Sequence, residues 1–239
     1  MPARIVITNT AAELVSRFDL LATRPNEEPQ KARYNVAPTQ SVPVIRVANG
    51  ARELANLRWG LIPHWNSDPT LEGHVNARAE TVALKPSFRD AYRSRRCLVP
   101  ANGFYGWKPG PSRKQPYFFR PINGGLFVCA GIWDRWAGPN GLVESVSVLT
   151  MPANELVAPM DPRMPVVVSE DKFADWLGPD RSRADKVLDP LEPYPSERME
   201  CWPVSTRVNS PAEDDAGLIV PISLPQSCNG RPELTQGTT

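Results

Sequence analysis

The stretch that decides the fold runs from Cys97 to Leu149: CLVPANGFYGWKPGPSRKQPYFFRPINGGLFVCAGIWDRWAGPNGLVESVSVL. Within it Cys97-Leu98-Val99-Pro100, Tyr117-Phe118-Phe119, Leu126 to Ile132 and Val146-Ser147-Val148-Leu149 are short apolar runs, several closed by Pro or Gly. Runs of this length, rich in branched and aromatic residues, read as strands of a buried sheet. Upstream, Ile5-Val6-Ile7 reads as a core strand. Thr10-x-x-Glu13 then supplies a capping box for a helix with Leu14, Val15, Phe18 and Leu21 on one face. Asn35-Val36-Ala37-Pro38 reads as a turn, Val42 to Val47 as a strand ending at the hairpin signal Asn49-Gly50, and Leu54 to Trp59 as its partner.

Helical patterns occupy the periphery. Pro86 to Arg96 fits a helix with Pro86 in its first turn and Phe88, Ala91 and Tyr92 toward the core. Asn154 to Val157 suggests a short helix, Pro165 to Val168 a strand, and Ser169 the cap of a helix carrying Phe173, Trp176 and Leu177 on one face. With 27 prolines, short strands and loops outweigh long helices. The fold class expected is α+β: a curved or barrel-like mixed sheet with peripheral helices, one domain over residues 1–222. The polar, aperiodic tail 223–239 reads as disordered.

The chain has 239 residues, 41% of them hydrophobic, enough to bury a full core. A net charge of +1 gives no global pull toward polyanions or membrane surfaces. The distribution is less even: nine basic residues between Lys85 and Arg120 face a single acid, Asp90. Such a run is either a phosphate-attracting patch or a solvated helix face followed by a basic turn. The N-terminal segment carries Arg4 and Glu13 without an apolar leader core, and no segment approaches the roughly 20 apolar residues of a membrane span. A soluble cytoplasmic protein is expected. Cys97, Cys129, Cys201 and Cys228 lack metal-site or disulfide-scaffold spacing, and His64 and His74 match no metal motif. Neither a metal nor a cofactor is expected.

Four segments hold more Gly, Pro, Trp, Asn and Arg than packing requires: Trp59–Trp65, Asn76–Thr81, Gly103–Trp107 and Arg163–Pro165. A tryptophan on a proline-containing loop offers a stacking face for a base, and nearby arginines can fork onto phosphate oxygens. Trp59 reads better as a core residue and Trp65 as the stacker. On an extended segment Asn76, Arg78 and Glu80 share one face. They either line a groove or sit on a surface strand whose Arg78 and Glu80 pair.

Together these segments and their order resemble the SOS response-associated peptidase (SRAP) family. The matching blocks are Arg4, RYNVAPTQ at 33–40, RWGLIPHW at 58–65, NARAET at 76–81, RRCLVPANGFYGWK at 95–108, PRMPVVV at 162–168 and VSTRVN at 204–209. The resemblance covers residues 1 to about 221. It implies an α+β fold with a positively charged groove for single-stranded DNA, especially beside duplex. It also implies that Arg4, Asn35, Pro38, Trp65, Arg78, Trp107 and Arg163 bind that DNA.

The family's chemistry, as the resemblance has it, uses a cysteine exposed at position two, which forms a thiazolidine with an abasic-site aldehyde, together with an Asn, a Glu and a His. Here Asn76 is retained, but the other positions hold Pro2, Gly106 and Asp161. A thiazolidine needs sulfur beside the amine, and glycine transfers no proton. The leading expectation is therefore a monomer that binds single-stranded or abasic-site DNA without the cysteine-dependent crosslink, at the bacterial nucleoid. In the alternative, removal of Met1 frees the Pro2 amine to form an iminium with the aldehyde, an α-amino group titrating near ~7.7–8.0. In a third, the fold is a relic without DNA binding.

Overall fold

The computed structural model describes residues 3–20, 31–68, 70–110 and 113–224; Pro2, Leu21 and residues 225–239 of the tail lie outside them. In chain order the first strands are β1 (Ile5–Ile7), β2 (Arg33–Val36), β3 (Ser41–Ala48), β4 (Ala51–Trp59), β5 (Asn76–Arg78) and β6 (Arg96–Ala101). There follow β7 (Gly103–Lys108), β8 (Gln115–Pro121), β9 (Phe127–Gly138), β10 (Gly141–Pro152), β11 (Arg163–Pro165) and β12 (Met199–Pro203). The helices are α1 (Ala11–Arg17), α2 (Pro86–Ser94), α3 (Phe173–Leu177) and α4 (Arg181–Val187).

Five strands close on themselves. β3 pairs antiparallel with β4 and with β6, β6 with β9, and β9 with β10, while β10 runs parallel to β4. The sheet is thus a small mixed barrel, as expected from sequence, and β10 carries β5 and β11 as additional strands. The β3–β4 hairpin turns at Asn49 and Gly50 with φ of 52° and 78°, the two left-handed residues of a type I′ turn. The second sheet, in the order β12-β8-β7-β1-β2, lies against the barrel.

Alternation along the second sheet explains how it is buried on both faces. Ile5, Ile7, Phe104 and Phe119 join the main core. Val6, Tyr105 and Phe118 join a separate cluster under Val204, Val208 and Leu218. Successive strand residues point to opposite faces, so one apolar run serves two cores. Residues 204–220 therefore form a cover over the outer face of this sheet.

Several local expectations are corrected. Residues 33–36 form strand β2, because they pair antiparallel with β1; Asp214 also accepts from the backbone N–H groups of Tyr34 and Asn35, and Arg33 pairs with the same carboxylate at 2.6 Å. The turn falls at Pro38-Thr39. Residues 154–157 make hydrogen-bonded turns rather than a helix, with the Asn154 carbonyl side chain accepting from Val157 N–H at 3.0 Å. The strand read at 165–168 is β11, ending at Pro165, with Val167 bridging Cys129 alone. Ser169 makes no side-chain cap, and α2 stops at Ser94 so that Arg96 can open β6. The Thr10–Glu13 capping box is present in α1.

Candidate functional site

An open cleft of about 680 Å³ lies where β7, the turn before β11 and the 204–220 cover meet; Ala3, Arg4, Trp107, Arg113, Lys114, Asp161 and Asn209 line it. Trp107 follows Tyr105 by two residues on β7, so both face the cover. Its indole N–H donates to Asn209 Oδ1 at 2.8 Å, which fixes the ring edge-on to the cover and leaves it half-buried.

Arg4 is held from three sides. Its guanidinium donates to Asn35 Oδ1 at 2.9 Å, Val208 O at 2.8 Å and Asn209 O at 3.2 Å. Partial burial lowers its pKa from the ordinary arginine value. Asn35 is fully buried, and its amide donates to Val208 O, Ser210 O and Glu213 O at 3.2, 2.9 and 2.8 Å. Asn35 therefore ties β2, Arg4 and the cover together without itself reaching the cleft surface. Pro38 is half-buried in the turn beside β4, where Thr39 N–H donates to Trp59 O at 2.7 Å.

A second cluster flanks β10. Asn76 and Arg78 on β5 lie in parallel register with Val148 and Thr150, and Arg163 on β11 approaches Thr150 from the other side. Arg163 donates to Thr150 Oγ1 at 3.1 Å, to Thr150 O at 2.5 Å and, as a fork, to the two Glu80 carboxylate oxygens at 2.9 and 2.8 Å. Glu80 thus pairs with Arg163 and not with Arg78, correcting the ion pair read from spacing. The reason is geometric: Ala79–Thr81 winds into a 3-10 turn, so the alternation that put Arg78 and Glu80 on one face ends at Arg78. The Arg163 guanidinium holds Glu80 below the ordinary carboxylate range. Arg78 is exposed and makes no side-chain hydrogen bond or ion pair with another described residue.

Asp161 accepts from Arg163 N–H at 3.0 Å, and its side chain lines the cleft. Gly106 is buried on the β7 face opposite Trp107; a Cβ there would sit 3.0 Å from the Phe119 ring and 3.2 Å from Met160 Cβ. A side chain at position 106 would therefore press on the turn that carries Asp161. Pro2 lies outside the described residues, but Ala3 brings the chain to the cleft wall.

Trp65 does not line this cleft. It is 53% exposed on a loop pinned by Asp134, which accepts from His64 N–H at 3.0 Å, and by Asn66 O, which accepts from the Trp136 indole at 2.8 Å. Trp59 is core, 1% exposed. The basic run disperses. Arg96 is buried on the carbonyls of Trp176, Tyr92 and Arg93, Arg95 meets Asp134 at 3.1 Å, and Arg120 pairs with Glu200 at 2.7 Å. Only its turn, Arg113-Lys114, reaches the cleft. Sequence reasoning missed Asn209, although it closes the VSTRVN block, and missed Arg113 and Lys114 inside the basic run. Nothing in the pattern marked Asp214.

The model of the family described as SOS response associated peptidase (SRAP) matches residues 1–211. The chain belongs to the SRAP family. Among SRAP relatives it is 35% identical over 223 residues to the abasic site processing protein YoqW of Bacillus subtilis (strain 168), covering 92% of this chain and 99% of that one. It is 31% identical over 228 residues to the abasic site processing protein HMCES of Gallus gallus, covering 80% of this chain and 66% of that one. A crystal structure of a Bacteroides thetaiotaomicron protein superposes with a TM-score of 0.81 at 26% identity, over 92% of this chain and 99% of that one.

Proposed function

We propose that this SRAP protein has a DNA-repair-related role, holding single-stranded or abasic-site DNA in the cleft without a cysteine-dependent crosslink. The reading rests on the meeting of Trp107 with Arg4, Arg113 and Lys114 around one cleft, a stacking face beside cations. A single strand needs that pairing, because bases stack on aromatic rings while phosphates take the charges. The names of YoqW and HMCES support an abasic-site context. In this reading Asn35 and Arg163 act through positioning, Asn76, Arg78 and Pro38 border the strand's path, and Trp65 offers a second stacking face beyond the cleft. The chain works as a cytoplasmic monomer at the DNA.

The thiols among the described residues do not replace the missing nucleophile. Burial pushes both Cys97 and Cys129 up, Cys129 to about 12, and Cys201 is raised for the same reason. Protonated, enclosed thiols are poor nucleophiles. Position 106 has no group to carry a proton.

Filter binding of single-stranded DNA between 50 and 200 mM salt tests the proposal, with affinity expected to fall as salt rises. Trp107→Ala is expected to weaken binding roughly 5- to 150-fold, the worth of about one stacked base. Undetectable or salt-independent binding by the parent overturns the reading.

One observation favours a second reading: Ala3, the residue after Pro2, lines the cleft that Asp161 also lines. With Met1 removed, the Pro2 nitrogen would attack the abasic-site aldehyde and expel water to give an iminium. Loss of the adjacent proton to a base would then eject the 3′ phosphate by β-elimination. Borohydride trapping on abasic DNA, followed by intact mass, decides it; no adduct on protein shown to lack Met1 excludes iminium chemistry.

A further inference from the structure

The cations that line or border the cleft differ in what they have left to give. Arg163 spends four hydrogen bonds on Glu80 and Thr150, and its side chain is only 13% exposed. Arg4 is held in place by three hydrogen bonds, to Asn35 Oδ1, Val208 O and Asn209 O, all neutral acceptors. Arg113 and Lys114 are exposed, line the cleft, and make no ion pair or side-chain hydrogen bond with any described residue. Gly110 lies close against Arg113, since a Cβ there would sit 2.5 Å from Arg113 O. Arg113 and Lys114 share the lining of the cleft with Trp107.

We infer that Arg113 and Lys114 form the phosphodiester-gripping lip of the cleft, so that the larger salt-dependent share of strand binding comes from these two cations, ahead of the anchored Arg4 and the charge-paired Arg163. The inference rests on the proposed strand binding and assigns its electrostatic share. An arginine already paired with a carboxylate, as Arg163 is with Glu80, brings little net charge to a phosphate, whereas an unpaired surface cation that meets one displaces its counterion. Stacking on Trp107 then supplies the salt-insensitive share.

The test compares salt slopes for single-stranded DNA in the full chain, the Arg113→Gln/Lys114→Gln double variant and a Lys85→Gln/Arg93→Gln double variant. The last removes the same charge from exposed positions that do not line the cleft. Two lost single-strand phosphate contacts should lower the slope of log affinity against log salt by about 1.4. From 50 to 200 mM salt the parent should then lose roughly sevenfold more affinity than the lip variant. The Lys85/Arg93 variant should keep the parent's slope. Equal slopes in the parent and the lip variant, or equal losses in both double variants, overturn the inference while strand binding stands. No binding by the parent sinks the strand reading itself. Inorganic phosphate added at constant ionic strength should not displace the strand; competitive displacement at millimolar phosphate would mark a free-phosphate site and overturn the assignment to the strand's backbone.

Discussion

Replacing Asn35 with Ala should loosen the cleft and the fold together. The fully buried Asn35 amide serves three carbonyls of the cover, and its oxygen accepts from Arg4. Two amide hydrogens shared among three carbonyls are worth about 1 kcal/mol each, net of water, and the bond from the charged guanidinium about 1.5–3 kcal/mol. The loss is thus roughly 3–5 kcal/mol, less whatever water recovers at Ser210 O and Glu213 O near the surface. For a chain of this length each kcal/mol shifts the melting temperature by about 2–4 °C, so a drop on the order of 10 °C is expected. Differential scanning calorimetry measures that drop, and limited proteolysis should show earlier cutting within residues 205–215. A variant that melts within about 2 °C of the parent, with an unchanged digestion pattern, would refute Asn35 as the tie between β2 and the cover.

Two further outcomes follow from single contacts. Glu80 is held below its ordinary value by Arg163, so its contribution is complete above about pH 4.5 and is lost as pH falls through and below that value. Glu80→Gln should therefore melt lower than the parent at pH 7, with the gap closing as pH falls below about 4.5; a gap that does not change with pH would rule the contact out. Gly73 has φ +89°, and a Cβ there would lie 2.3 Å from Gly60 O across the Leu61–His74 bridge. Gly73→Ala should cost at least about 2 kcal/mol in urea unfolding, against about 1 kcal/mol for Gly50→Ala, where φ is +78° and nothing lies within 4 Å; equal costs would contradict the close approach.

What the sequence made legible follows from locality. Strand identity is written in runs such as Leu126 to Ile132, and the type I′ turn in Asn49-Gly50, because both depend on residues a few positions apart. Barrel closure was visible only as a class, since the pairings that close it, β10 with β4 and β3 with β6, join segments far apart in the chain. The extra strand β2 escaped notice because its partner β1 lies before α1 in the chain and Asp214, which also holds it, lies 180 residues from Tyr34. The site divides the same way. Trp107, Arg4 and Arg163 could be named from motifs, but not that Arg163 would be saturated by Glu80 and Thr150 while Arg113 and Lys114 stayed open. A donor's availability is a property of its neighbours in space, and a one-residue reading of Arg cannot contain it.

The wall that Val208 and Asn209 give the cleft has a consequence for the order of events during synthesis. Arg4 meets Asn35 early, yet its carbonyl partner Val208 leaves the ribosome 204 residues after it, with Trp107 waiting in between. A nascent chain short of Asn209 has the barrel strands but only half a cleft. Competence to hold a ligand thus waits for Asn209, and a truncation just past Val204 should give a folded barrel with an unfinished site.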